Sequence, residues 1–187
     1  MSATVAWGDE SIRHKGLARP MYLMCACIID DVPAANQSMR TILPEHSKKL
    51  HWRDLTNRRK RQSIDFIQQI GPLSIVIAAE ESSVHKDERA RRKCLERLLP
   101  VLESYEVSTL VLESRTPPQD QRDLEHLAQM RTRHLVRTIR MDHIRGSAEP
   151  CLWIPDQVLG AYGDTKTGKL DFSEFLRENV LDEIIAC

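Results

Sequence analysis

Three acidic residues of this sequence follow apolar segments, in positions from which they could bind one metal site. Asp9 follows the first such segment, and Glu113 ends a central one. Asp156 follows Leu152-Trp153-Ile154, near the start of a predicted helix. Converging carboxylates repel one another and stay ionised chiefly when a hard divalent cation neutralises them. We therefore expect Asp9, Glu113 and Asp156 to hold Mg²⁺ or Mn²⁺, the ions that serve phosphodiester hydrolysis.

A fourth acid, Asp142, follows the segment 136–140 and is a candidate metal ligand from an adjacent strand. Each of these acids taken alone also fits a turn or a helix cap, where Asp is common. The prediction of a metal site therefore depends on their combination.

The elements that must position these acids follow from the hydrophobic pattern. We predict strands over 4–7, 21–29, 39–43, 73–79, 107–113 and 135–141, and helices over 57–70, 86–104, 119–133, 152–162 and 172–185. Strands cluster early and then alternate with helices, which predicts one α/β domain over residues 1–187 with a mixed sheet flanked by helices. The segment 172–185 is expected to pack as a helix on the edge of that domain.

Positive charge is concentrated at a few places along the chain. Arg58, Arg59 and Arg61 stand at the start of a predicted helix, and Arg115 follows Glu113 closely, so these four are candidate contacts to the phosphates of DNA or RNA. The alternative is that they belong to solvated faces paired with acids of their own helices. Lys plus Arg and Asp plus Glu both number 27, which excludes a long-range field of one sign.

No stretch approaches the roughly 18 apolar residues of a membrane span, and the first residues do not resemble a secretion signal. The five cysteines lack the spacing of a zinc site, and reduced thiols fit best. These observations predict a cytoplasmic protein without a membrane partner, and they leave a homodimer open.

Other motifs are weaker. The segment Gly163–Lys169 is similar to a phosphate-binding loop, but Leu170 stands where Ser or Thr must hold magnesium. Ser11 and His51 would allow a Ser-His-Asp hydrolase, yet no Gly-x-Ser-x-Gly turn is present. Neither motif predicts the function.

The order of short motifs over Val5 to Gly163 resembles a prokaryotic family of uncharacterised proteins, the domain of unknown function 3800 family, which is thought to be ribonuclease H-like. The resemblance is carried by Gly8-Asp9-Glu10-Ser11, Lys49-Leu50-His51-Trp52, Val111-Leu112-Glu113-Ser114 and Leu152-Trp153-Ile154-Pro155-Asp156-Gln157-Val158-Leu159-Gly160. It implies a ribonuclease H-like sheet, metal binding by Asp9, Glu113 and Asp156, and His51 beside them as a proton carrier or substrate contact. Two residues depart from the family pattern, Ile12 in place of a glycine and Pro155 in place of a small residue.

Two functions are therefore expected from the sequence. The first is a metal-dependent nuclease, a hydrolase of DNA or RNA that acts through the carboxylate cluster. The alternative is a catalytically silent binding or regulatory protein of a mobile-element or defence system, which the departures at Ile12 and Pro155 favour.

Overall fold

The computed structural model describes residues 4–80 and 87–186. Its strands are β1 (Thr4–Arg13), β2 (Met21–Ile28), β3 (Leu73–Glu80), β4 (Val107–Glu113), β5 (Arg140–Ile144) and β6 (Val180–Ala186). Its helices are α1 (Val32–Thr41), α2 (Asn57–Ile70), α3 (Asp87–Ser104), α4 (Pro117–Thr132), α5 (Trp153–Lys166) and α6 (Ser173–Asn179). Short 3-10 helices cover Trp52–Asp54 and Pro150–Leu152.

The strands form one six-stranded sheet in the order β5-β4-β1-β2-β3-β6. β2 pairs antiparallel with both β1 and β3, whereas β1 with β4, β4 with β5, and β3 with β6 are parallel. This is the mixed sheet flanked by helices that the sequence predicts.

Helices cover both faces of the sheet because successive residues of each strand point to opposite sides. One face, which we term the α5 face, packs Trp7, Cys25 and Val111 against α1, α2 and α5. The other, the α3 face, packs Ala6, Met24 and Leu110 against α3 and α4. All of β2 is buried, as its continuous apolar run requires.

Several predicted elements are confirmed with small shifts. α2 has the predicted bounds and ends at Gly71, whose φ of 66° is the left-handed conformation typical of a helix C-cap. The strands 21–29, 73–79 and 107–113 and the helices 119–133 and 152–162 are present, although α5 runs on to Lys166. The helix 86–104 is also confirmed from Asp87 onward, and Lys86 lies outside the described residues.

β1 is longer than predicted. The sequence predicts that the strand ends at residue 7, just before Asp9 and Glu10, but it continues through these residues to Arg13. Ile12 pairs with Tyr22 of β2, so the residue that departs from the family pattern lies in a strand that suits its β-branched side chain. Because Asp9 and Glu10 are adjacent residues of this strand, their side chains point to opposite faces of the sheet.

Three predicted elements are wrong or displaced. The strand predicted over 39–43 is the end of helix α1, which starts beside Pro33, a residue tolerated in a first helical turn. The helix predicted over 172–185 is only the short α6, and the segment after it pairs with β3 as the edge strand β6. The strand predicted over 135–141 lies at 140–144, so Asp142 is inside β5 and does not follow it.

Within the two described ranges, no helix is both long and apolar enough to cross a membrane.

Candidate active site

Asp9 and Glu113 come from neighbouring parallel strands. β1 and β4 pair with Gly8 opposite Leu112, so the next residue on each strand is Asp9 and Glu113, at one level of the sheet. Asp9 has the same parity as Trp7, and Glu113 the same as Val111, and both of these apolar residues belong to the α5 face. Adjacent strands therefore bring the two carboxylates to the same side of the sheet.

Gly8 is needed for this close pairing. A Cβ atom at that position would lie 2.8 Å from Cδ2 of Leu112 and 3.0 Å from the carbonyl oxygen of Cys25. A larger residue would require the Leu112 side chain to shift and would crowd the Cys25 carbonyl of β2.

Asp156 is supplied by the first turn of α5. Its Oδ2 accepts a hydrogen bond from the backbone N–H of Trp52 at 2.8 Å and from Nε2 of Gln157 at 3.0 Å. Pro155 does not disturb the helix, because it is the third residue of α5 and the first four N–H groups of a helix have no partner within it. The second departure from the family pattern is therefore structurally harmless.

The segment that carries His51 and Trp52 is fixed against the same helix. The Trp52 ring lies on Gly160, where a Cβ atom would come within 2.1 Å of Cγ of Trp52. Nε1 of Trp52 donates to Oδ2 of Asp164 at 3.1 Å. Gly160 and Asp164 thus hold Trp52, and Trp52 holds Asp156.

These elements enclose a cavity of about 560 Å³ that we term the acidic cavity. Asp9, Glu113, Asp156, Lys49 and His51 all line it. The sequence analysis thus selected four of the residues that meet here.

The electrostatics of the acidic cavity disfavour charge on its acids. Burial, followed by the negative charge of Asp156, raises the pKa of Asp9 well above its usual value, against the opposing effect of Lys49. Burial also raises the pKa of Asp156, although the hydrogen bond from Trp52 and the charge of Lys49 oppose the shift. Both carboxyl groups therefore favour the protonated form, and a cation close by would be needed to keep them ionised.

Lys49 provides a positive charge beside these acids in the acidic cavity. Its ammonium group contacts Oε2 of Glu113, and its side chain is only 10% exposed. Gly146 backs the same carboxylate, since a Cβ there would lie 2.4 Å from Oε1 of Glu113. Neither residue was predicted as part of the site, because neither belongs to an acidic pattern; in the sequence, Lys49 stands out only within the motif Lys49-Leu50-His51-Trp52.

The donor set of the acidic cavity suits a hard divalent cation, because it consists of three carboxylates and Lys49 is paired with Glu113 alone. The geometry differs from a closed metal site. Across residues 4–80 and 87–186, no group of three His, Cys, Asp or Glu side chains is close enough together to hold an ion. Glu113 is engaged by Lys49, so among the three acids of this cavity Asp9 and Asp156 are the two that form no ion pair with a described residue.

The candidate ligand Asp142 is not brought to this cavity. It is exposed on the edge strand β5, opposite Val111, and the residue of β5 level with Glu113 is Ile144. The sequence predicted that Asp142 lies beyond the end of a strand. Since β5 covers residues 140–144, Asp142 lies within the strand, two residues before the level of Glu113.

Three of the four basic candidates lie apart from the acidic cavity, whereas Arg115 lines a smaller pocket with Asp9 and Glu113. Arg58, Arg59 and Arg61 are exposed on α2, with Arg61 over the Phe172 ring at 5.6 Å. From this basic run it is Lys60 that lines the acidic cavity, buried between the Trp52 ring and Asp164.

Arg115 belongs to a charged network on the α3 face. Its guanidinium contacts Glu88 at 2.6 Å and Asp123 at 3.2 Å. Glu10, the second acid of the β1 pair, points to this same face, where it contacts Arg91 and accepts a hydrogen bond from Tyr22 at 2.8 Å. The Asp9-Glu10 pair is therefore divided between a cavity and a structural ion-pair network.

Comparisons with known proteins agree with the topology. No protein-family model matches the chain, and neither does any curated protein. A solved chain of the complex of PCNA with ribonuclease HII from Archaeoglobus fulgidus matches over 88% of this chain and 74% of its own, with a TM-score of 0.56 and 11% identity. Ribonuclease H2 from Pyrococcus horikoshii matches over 92% of this chain and 77% of its own, with a TM-score of 0.51 and 13% identity.

Sheet order, flanking helices and these structural matches together define the class. The chain has a ribonuclease H-like α/β fold.

Proposed function

We propose that this protein is a divalent-metal-dependent nuclease that hydrolyses phosphodiesters of DNA or RNA in the acidic cavity. The observation that carries the proposal is the convergence of Asp9, Glu113 and Asp156 on one cavity of a ribonuclease H-like fold. The raised pKa of Asp9 and of Asp156 supports it, since buried acids that resist ionisation are common at functional sites.

Mg²⁺ or Mn²⁺ is the cofactor that this donor set would take. Asp9 and Asp156 would hold it, joined by Glu113 once its carboxylate leaves Lys49. A bound ion of this kind polarises a phosphodiester and lowers the pKa of water.

The chain's own residues would do the remaining work. Trp52 orients Asp156 through its backbone N–H, and Gly8 keeps Asp9 level with Glu113. Lys49, released from Glu113, would carry positive charge toward the phosphate. His51, beside Asp156 on the cavity wall, would contact the substrate or carry a proton.

The alternative, a catalytically silent binding or regulatory protein, is favoured by one observation. Lys49 already neutralises Glu113, as a permanent counter-ion would in a site that has given up its metal. A place in a mobile-element or defence system, membership in the domain of unknown function 3800 family, a cytoplasmic location and a homodimer remain predictions from the sequence.

Cleavage of labelled oligonucleotides tests the proposal. We expect wild-type protein to cut at least one of single-stranded DNA, single-stranded RNA, their duplexes or a hybrid when Mg²⁺ or Mn²⁺ is present, and to stop in chelator. Because the metal supplies several kcal/mol of transition-state stabilisation, Asp9→Asn and Asp156→Asn should each lower the rate at least about a hundredfold.

Asp65→Asn is the matched control, as it makes the same change on the exposed side of α2. It should cut like the wild type. Cleavage that persists in Asp9→Asn would assign the activity to another site or to a contaminant, and the proposal would be wrong.

A further inference from the structure

A second cleft opens beside the acidic cavity. It has a volume of about 490 Å³ and is lined by residues at the end of β1, in the loop after it, and after α5. The two cavities share Ile12, Arg13, Asp164 and Lys169 in their walls. They therefore meet, and a ligand in one can extend into the other.

The charge of this second cleft is opposite to that of the acids. His14, Lys15 and Lys169 are exposed along it, and Arg13 stands at the junction. We term it the basic cleft. Neither Lys15 nor Lys169 forms an ion pair with any residue in the described part of the chain.

The one carboxylate at the junction is already compensated. Asp164 is buried, its Oδ2 lies 2.8 Å from Nζ of Lys60, and it accepts a hydrogen bond from Trp52. It therefore offsets Lys60 first, and its contact with Arg13 is long, at 4.0 Å.

Arg13 has unused capacity to donate. Its Nε is buried and lacks a hydrogen-bond partner among the described residues. The fold makes room for this guanidinium at Gly163, where a Cβ atom would lie 2.4 Å from the same Nε. A buried N–H without a partner is costly. Because the Arg13 side chain is 26% exposed, its guanidinium group can turn toward an anion at the junction and donate to it.

We propose that the basic cleft binds a phosphate of the same nucleic-acid strand whose scissile phosphodiester lies in the acidic cavity. The substrate is then a strand of several nucleotides that passes Arg13 and Lys169, with Lys15 beyond them, and not a mononucleotide. This inference rests on the proposed function and names its substrate class. Guanidinium and ammonium groups are the usual protein partners of phosphates.

Salt-dependent binding tests the strand path without cleavage. A short fluorescent single-stranded oligonucleotide is titrated with the full-length protein in chelator, at several salt concentrations, and its anisotropy is followed. Each lost lysine–phosphate contact makes the slope of log K against log salt shallower by about 0.7 for a single strand. The double variant Lys15→Met with Lys169→Met loses two such contacts, so its slope should be shallower than that of the wild type by twice this amount.

The control is the double variant Arg89→Met with Arg92→Met. It removes the same charge from exposed positions of α3, which lies across the sheet from the basic cleft. Its slope should equal that of the wild type. Because the two lysines are exposed, their variants should fold, and circular dichroism verifies this before binding is measured.

Three results would overturn the strand path: an unchanged slope in the lysine variant, an equal loss in the arginine control, or no binding by the wild type. Competition separates the two sources of phosphate. A mononucleotide or inorganic phosphate that displaces the oligonucleotide at equal phosphate concentration would contradict a strand substrate. The binding experiment uses no metal, so its failure would leave Asp9-dependent cleavage untouched. In the same way, absence of cleavage would not remove salt-dependent binding at the basic cleft.

Discussion

At the scale of single residues, Lys49 decides the charge of the acidic cavity. Its ammonium contacts Glu113 and opposes the rise that burial causes in the pKa of Asp9 and of Asp156. A divalent cation that binds the same carboxylates must compete with this ammonium group, since both neutralise one cluster.

This competition predicts the behaviour of Lys49→Met. Without metal the variant should be less stable than the wild type by about 1 to 3 kcal/mol, because Glu113 loses its partner. Its stabilisation by Mn²⁺ should be larger than that of the wild type, because the ion no longer displaces an ammonium group. Thermal unfolding with and without Mn²⁺ measures both effects.

Lys48→Met is the matched control, since Lys48 is an exposed neighbour. It should leave both quantities unchanged. A smaller Mn²⁺ effect in Lys49→Met would mean that Lys49 supports the ion, and the competition would be disproved.

Three of the four site residues predicted from the sequence share one property, which is an acid at a fixed place on a strand or helix; the fourth is His51. Asp9, Glu113 and Asp156 were predicted for that reason. Lys49 and Gly146 act through contacts that only the fold creates, from loops without periodicity. Asp142 was predicted from its neighbours in sequence, but its strand is an edge strand displaced along the chain.

At the scale of elements, the two faces of β1 have different tasks. Asp9 points into the acidic cavity, whereas Glu10 is held on the α3 face by Arg91 and Tyr22. Arg91 is 2% exposed and forms two hydrogen bonds with Asp123 of α4, at 2.9 and 2.7 Å. This buried pair connects β1, α3 and α4 behind the candidate active site.

The buried ion pair of Arg91 and Asp123 predicts that the stability of the fold depends on pH. Although burial acts to raise the pKa of Asp123, hydrogen bonds from His143 and Arg91 and the charges of Arg91 and Arg115 hold it well below its usual value. A lowered pKa in the folded state contributes stability above the unfolded value near 4, and this contribution is lost as the pH falls below it.

Asp123→Asn should therefore cost about 3 kcal/mol near neutral pH, because buried Arg91 loses one of its two carboxylate partners and keeps only Glu10. The difference from the wild type should narrow as the pH falls from about 5 toward 2. Chemical denaturation across that range measures it, with Asp65→Asn as the exposed control. A constant difference at all pH values would show that Asp123 acts through packing alone.

Helices and strands with a strong hydrophobic periodicity could be predicted from the sequence. Elements that depend on pairing with a distant strand could not. α2, α3 and the buried β2 have patterns that their own residues determine. The segment after Phe172 has apolar residues at helical spacing, yet 180–186 is a strand because the edge of β3 offers hydrogen bonds to it. Such pairing overrides local propensity, which is a weak guide by itself.

At the scale of the whole molecule, the fold places an acidic cavity and a basic cleft side by side at one end of β1. The net charge of zero conceals this separation. A balanced overall charge is compatible with a nucleic-acid partner, because Arg13, Lys15 and Lys169 line the cleft beside the acidic cavity.

Thermal unfolding with and without Mg²⁺ or Mn²⁺ tests most directly whether the three acids form a metal site. A cation that binds only the folded state at 100 times its Kd stabilises by about 2.7 kcal/mol, or roughly 5 to 10 °C for a chain of this size. The account predicts such a shift for the wild type and for Asp65→Asn, and its loss in Asp9→Asn and Asp156→Asn. A shift that persists in both of these variants, or no shift in the wild type, would contradict it.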